Sequence, residues 1–379
     1  MGKHPVAEDK ITYKPGSGLS ATSADGDFAL DTRVRAQFLY EVEEAGGELT
    51  ESIQIRRARL QMQGHAFGKH NEYKMEIAVS PSDMGMKDGQ GPVTSPLLDF
   101  YFDFDHVRDL SLRVGQYKIP FSRQRVVSSG NLQLVDRSIV NSEFNLDRDL
   151  GFDVRSKDLL GLGLFRYYAG IYGGQGRNDN TSNDFGMNYL ARVEVLPFGM
   201  FDDYEEGDFH REDFHLALAG AVAYVDNAPR NRGILGSVPE DGGTTDVKTA
   251  SFDLAANWAG FSLRSEWMWR QGDRTPGAAV DDAGAVIPTE DPRDGWGGMV
   301  QAGYLIPRSR LEVAARYGLV EPAGTSSLDA STELGGGLSY YFARHPFKLQ
   351  ADYFRLTETP AGGPEEEAHR VRLQLQFGL

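Results

Sequence analysis

From Asp27 onward, apolar and polar positions alternate along the chain. Phe28, Leu30, Val34, Ala36, Phe38 and Tyr40 share one parity, and Asp31, Arg33, Arg35 and Gln37 the other. Ala58, Leu60 and Met62 interleave with Arg57, Arg59, Gln61 and Gln63, and Leu98, Phe100, Phe102 and Phe104 with Asp99, Tyr101, Asp103 and Asp105. The pattern returns around Leu311–Tyr317 and Val371–Phe377. Side chains of a strand point to opposite faces in turn, so each segment reads as a strand with one apolar and one charged face. Segments start near Asp27, Ser52, Glu72, Leu97, Leu110, Asp149, Leu162, Asp184, Phe214, Lys248, Phe261, Gly295, Arg310, Ser331, Phe347 and Ala368, which makes sixteen.

A soluble sandwich also alternates, but its strands average about 5–6 residues. These run to roughly 9–14, the length that crosses a bilayer as a tilted strand. Their apolar faces carry Phe, Tyr, Leu, Val, Gly and Ala, and their polar faces Arg, Asp and Gln. An even strand number, a greasy outside and a wet inside predict an all-β fold: a 16-stranded antiparallel transmembrane β-barrel over 27–379. The longest apolar run, Leu216–Val225, is too short for a membrane helix.

Connections alternate in length too. Short ones are 68–71, 106–109, 156–161, 259–260, 307–309 and 343–346; long ones are 42–51, 81–96, 119–148, 226–247, 272–294, 321–330 and 357–367. Short turns then mark the periplasmic end and long loops the extracellular end. The acidic connection 197–213 breaks the alternation. Residues 1–26 are polar and aperiodic and read as a flexible N-terminal arm. They lack the apolar stretch of a signal peptide, so the targeting segment is expected to have been removed. Trp258, Trp267, Trp269 and Trp296 fall in strands and are candidates for a membrane-interface girdle.

Composition narrows the chemistry. The chain has no Cys, which removes disulfides, thiolate zinc sites and cysteine nucleophiles. A net charge of −16 argues against nucleic acid as a partner. The His residues are scattered and no nucleophile motif is present, so no enzyme, cofactor or metal site is expected. A barrel of this size holds an aqueous channel, and whatever narrows it sets its function. The 119–148 connection is the candidate constriction loop, anchored by Ile119-Pro120-Phe121 and Val126-Val127. Between Ser111 and Val135 lie Arg113, Lys118, Arg123 and Arg125 and no acid. A basic ring in a narrow pore favours anions.

Over the whole inner wall the tally is 16 basic against 15 acidic groups, so selectivity must come from segregation. Arg33, Arg35, Arg57, Arg59 and Arg113 are candidates for a basic strip, and Asp99, Asp103 and Asp105 for an opposing acidic one. The arginine fork suits phosphate. The acidic runs 43–51, 202–208, 291–294 and 365–367 read as solvated surface, with divalent bridging to lipopolysaccharide as a sharper role.

Three stretches occur in order: Arg56-Arg57-Ala58-Arg59-Leu60, Val114-Gly115-Gln116-Tyr117-Lys118-Ile119-Pro120-Phe121, and, after Arg137-Ser138, Arg148-Asp149-Leu150-Gly151-Phe152. In these the chain resembles the phosphate-selective porin O and P family. The resemblance implies a homotrimeric barrel in the Gram-negative outer membrane that passes anions through a basic neck. It places Lys118, Arg123, Arg125, Arg137 and Arg148 at that constriction. Family members are strongly basic inside, whereas this wall is nearly even. The expected function is passive diffusion of anions such as phosphate or polyphosphate, with outer-membrane lipid and lipopolysaccharide around the barrel. The alternatives are a structural outer-membrane barrel with a plugged lumen and ion- or partner-binding acidic loops, and a soluble β-rich binding protein.

Overall fold

The computed structural model describes residues 9–84, 95–179, 186–360 and 362–379. A short hairpin, β1 (Lys10–Lys14) and β2 (Gly18–Thr22), precedes the long strands. These are β3 (Ala29–Ala45), β4 (Glu48–His65), β5 (Asn71–Ala78), β6 (Leu97–Val107), β7 (Leu110–Lys118), β8 (Arg148–Ser156), β9 (Phe165–Tyr172) and β10 (Asn188–Val195). They continue as β11 (His215–Ala228), β12 (Thr244–Trp258), β13 (Phe261–Thr275), β14 (Gly295–Leu305), β15 (Leu311–Pro322), β16 (Ala330–Ala343), β17 (Phe347–Thr359) and β18 (Glu366–Gly378).

Each strand from β3 onward pairs antiparallel with the next, and β18 returns to β3, closing a 16-stranded antiparallel β-barrel. The seam runs from Ala368↔Ala45 to Gly378↔Arg35, and the backbones of Val34 and Leu379 exchange hydrogen bonds of 3.1 and 2.8 Å. Closure leaves the wall no open edge.

The period-two pattern decides the facing. Val34, Phe38, Phe100, Phe152, Val193, Phe252 and Leu373 are exposed on the outside, while Gln37, Asp99, Arg192, Arg316 and Gln374 are buried inside. An apolar exterior around an ionised interior inverts a soluble core and is stable only in lipid. All four Trp project outward: Trp258 at the short-turn end of β12, and Trp267 stacked on Trp296 with ring centroids 6.1 Å apart.

Several local expectations change. Within the polar arm, residues 1–8 lie outside the described part, but residues 10–22 are not a loose tail. β2 pairs with β3 from Leu19↔Thr32 to Thr22↔Ala29. The hairpin turns on Gly16 and Gly18, both at positive φ, and backbone pairing needs no apolar period to announce it. The predicted long loop 42–51 is a Gly46-Gly47 turn between strands that continue above the membrane band. The predicted start near Asp184 lies outside the described residues, and β10 begins at Asn188.

The interior is not uniformly wet. The β7–β8 connection carries α2 (Arg123–Val126) and α3 (Ile139–Phe144), and α3 packs against inward apolar side chains of β13–β15. Ile119, Phe121, Val140 and Phe144 form a dry cluster with Leu190, Val225, Val247, Met268, Met299 and Val320. Glycines make room for the loop: a Cβ at Gly303 on β14 would stand 2.1 Å from Gln133 Nε2, and one at Gly297 2.9 Å from Phe144.

Candidate pore constriction

The β7–β8 connection crosses the lumen, and its hydrogen bonds reach around the wall. Ser122 caps α2 by accepting from the Arg125 N–H and donates to Glu266 of β13 at 2.9 Å. Gln133 donates to Ser262 of β13 at 2.6 Å and to Glu312 of β15 at 2.7 Å. The Val135 N–H meets Asp352 of β17 at 2.9 Å. From the seam, Gln37 donates to the Ser129 carbonyl at 3.0 Å and Gln376 to the Gly130 carbonyl at 2.9 Å. Lys348 Nζ reaches the Leu132 carbonyl at 2.6 Å.

Between this loop and the β4–β8 wall lies a cavity of about 390 Å³. Nine cationic side chains line it among the described residues: Arg56, Arg57, Arg59, Lys118, Arg125, Arg137, Arg148, Arg177 and Arg230. Among the described residues, its only carboxylates are Asp83 and Asp147. Leu98, Ile234 and Leu235 form its apolar patch.

The partners of these cations matter more than their number. Arg59 is held by Asp83 at 2.5 Å and by Glu76 at 2.6 Å, Arg148 by Asp99 at 2.7 Å, and Arg125 by Asp147 at 2.7 Å. Lys118 instead donates to the carbonyls of Val126 and Val127 at 3.3 and 3.2 Å. Arg137 donates to the carbonyls of Gln124 at 2.8 Å and Val127 at 2.6 Å. Arg177 meets no partner among the described residues. Carbonyls satisfy the N–H groups and leave the charge standing. Burial, with Arg125 and Arg57 close by, pushes the Arg137 guanidinium well below its usual value, against the pull of Asp136.

Of the constriction candidates, Lys118, Arg125, Arg137 and Arg148 line this cavity and Arg123 does not. Arg123 turns away into a buried ionic cluster, with Asp253 at 2.5 Å and Asp203 in contact. Acids on β10, β12 and the 197–213 connection surround it there, so the helical turn of α2 sends Arg123 and Arg125 in different directions.

The expected basic strip divides. Arg57 and Arg59 face the cavity, whereas Arg35 donates to Ser128 and Ser129 and lines a second, neighbouring cavity. Arg33 is exposed and donates to the Ser17 carbonyl at 2.9 Å. Arg113 stands apart, forked onto Asp103 at 2.6 Å and stacked over Tyr101. The acidic strip is not an opposing wall: Asp99 meets Arg148, Asp103 meets Arg113, and Asp105 accepts from Ser111 at 2.8 Å. In an antiparallel sheet, cross-strand neighbours pair before opposite walls do.

Parity assigned Arg56 to the outer face, and the structure does not. The register slips between Gln37↔Arg57 and Phe38↔Ile55, leaving Arg56 as the extra residue of a β-bulge. Arg56 and Arg57 thereby both reach Asp136 on the loop, at 2.8 and 3.0 Å. Although burial opposes it, Arg57 and Arg56 hold the Asp136 carboxyl well below the usual carboxylate range. Arg177 and Arg230 lie in long loops, where no period could have pointed to them.

A closed barrel with a lipid-facing outer wall, an ionised inner wall and a passage narrowed by its own loop defines a porin, a channel of the bacterial outer membrane. The chain belongs to the phosphate-selective porin O and P family, whose pattern it matches over residues 28–379. An uncharacterized protein of Aquifex aeolicus (strain VF5) is 24% identical over 302 residues, 73% of this chain and 67% of that one. Among solved structures, the anion-selective porin from Comamonas acidovorans superposes with a TM-score of 0.59 at 12% identity, covering 92% of this chain and 99% of that one. A loop L8 deletion mutant of the Vibrio cholerae outer membrane protein OmpT gives 0.59 at 10% identity, covering 93% and 100%. The Acinetobacter baumannii outer membrane channel DcaP gives 0.57 at 11% identity, covering 92% and 97%. At these identities the likeness is one of fold.

Proposed function

We propose that this porin passes small anions, with phosphate-like oxyanions preferred, through the cavity beside the β7–β8 loop. One observation carries the reading: Lys118 and Arg137 project charge into a confined space while backbone carbonyls, not carboxylates, satisfy their donors. Low-dielectric walls focus such a field, raising the local concentration of anions and excluding cations. The Arg177 fork, with no hydrogen-bond partner among the described residues, matches the paired oxygens of a phosphate. The family's description supports the same preference. We also propose the homotrimer that the family resemblance implies.

The test is a planar-bilayer reversal potential in a KCl gradient, followed by phosphate titration of the single-channel current. Anion preference and saturable block by phosphate are expected. A cation-preferring potential removes the proposal.

A further inference from the structure

The connection 197–213 joins β10 to β11 at the periplasmic end, where other barrel turns are short. Its acidic run reads as solvated surface, yet Asp203 is 1% exposed and Glu206 2%. They are buried because the connection rises into the lumen beneath the constriction loop. Asp203 pairs with Arg123 of that loop and with Arg166 of β9 at 2.8 Å. The Glu206 N–H donates to the Asn131 carbonyl at 3.0 Å. The Glu206 carboxylate accepts from the Gln133 N–H at 2.8 Å and from Gln301 of β14 at 2.9 Å. Tyr204 lies against Arg123, its ring centroid 4.9 Å from the guanidinium carbon.

Two carboxylates that a surface turn would leave in water are thus spent on the loop. A third, Asp208, caps backbone N–H groups of Arg211 and Gly260 and shapes the turn itself. Burying an ionised carboxylate is unfavourable unless it is paired and hydrogen-bonded. The loop supplies Arg123 to Asp203 and the Gln133 N–H to Glu206, so without it each carboxylate keeps only its wall partner, Arg166 or Gln301.

We propose that Asp203 and Glu206 are positioning residues: the periplasmic connection is a brace that holds the constriction loop from below and confines permeation to the basic cavity. This rests on the reading of the β7–β8 loop as the constriction. The brace touches no passing ion and acts through Arg123, Asn131 and Gln133.

The experiment compares wild type with Asp203→Ala/Glu206→Ala in bilayers, using preparations whose heat-modifiable electrophoretic mobility shows an intact barrel. Released from below, the loop leaves a wider opening. Conductance is expected to rise about twofold or more, with added open-channel noise and a reversal potential closer to zero. Wild-type conductance, noise and potential in the folded variant overturn the proposal. If the variant does not fold, Asn131→Cys/Glu206→Cys decides the matter, because the chain has no other Cys. The oxidised pair, tethering loop to brace, is expected to conduct as wild type and the reduced pair to conduct more. Equal conductance in the two forms overturns the proposal. A cation-preferring wild type would remove the anion reading and leave this comparison intact, so the two failures are distinguishable.

Discussion

Two groups of cations on opposite sides of the lumen, one around Arg123 and one around Lys118 and Arg137, are held in opposite ways. On the β9–β13 side, Arg123, Arg166 and Arg192 are interleaved with Glu194, Asp203 and Asp253, all but Arg166 nearly free of solvent exposure. On the β4–β8 side, Lys118 and Arg137 rest on carbonyl oxygens, and Arg177 on no described group. A guanidinium forked onto carboxylates is a structural rivet whose field is cancelled locally. One whose N–H groups are met by neutral oxygens keeps its field for whatever passes. Counting charges on the wall misses this distinction, because a near-even total is compatible with some cations neutralised in place and others left to act.

The largest expected effect breaks the riveted side. Arg123→Ala takes one of two arginines from each of Asp203 and Asp253, leaving Arg166 and Arg192, and breaking a buried pair costs about 3–5 kcal/mol. A lower urea or thermal midpoint for the folded barrel checks this. Lys118→Ala, by contrast, should leave that midpoint near wild type while reducing anion preference, and equal stability losses in the two variants would erase the contrast.

Next, Lys118→Glu with Arg137→Glu should reverse the sign of the KCl reversal potential, a change in anion-to-cation permeability ratio on the order of tenfold. Arg56→Ala removes one of two forks on Asp136, with an expected loss of roughly 1–3 kcal/mol from the charged hydrogen bond. Urea unfolding of the variant beside Asp136→Asn measures it, and non-additive losses in the double variant mark the shared clamp. The smallest effect is expected at Arg355, which forms an exposed pair with Glu367. Arg355→Ala should leave stability and reversal potential at wild-type values, since solvent and salt screen such pairs.

The wall was legible in the sequence because lipid on one side and water on the other impose a strict period of two. Phe100, Phe102 and Phe104 against Asp99 and Asp103 allow one facing only. The interior was less legible, for definite reasons. The bulge at Arg56 shifts parity by one residue without any Gly or Pro to mark it. The separation of Arg123 from Arg125 depends on a four-residue helical turn inside a loop. The burial of Asp203 and Glu206 depends on partners far away in the chain, so an acidic run destined for the lumen looks like one destined for water. Arg177 and Arg230 reach the cavity from connections that carry no periodic signal.

The seam between β18 and β3 ties closure of the barrel to closure of the passage. Strands at the two ends of the barrel segment meet only when the whole of it is present, and the same seam supplies Gln37 and Gln376 to the loop that narrows the passage. Without that pairing there is neither a cylinder nor a complete set of anchors for its constriction.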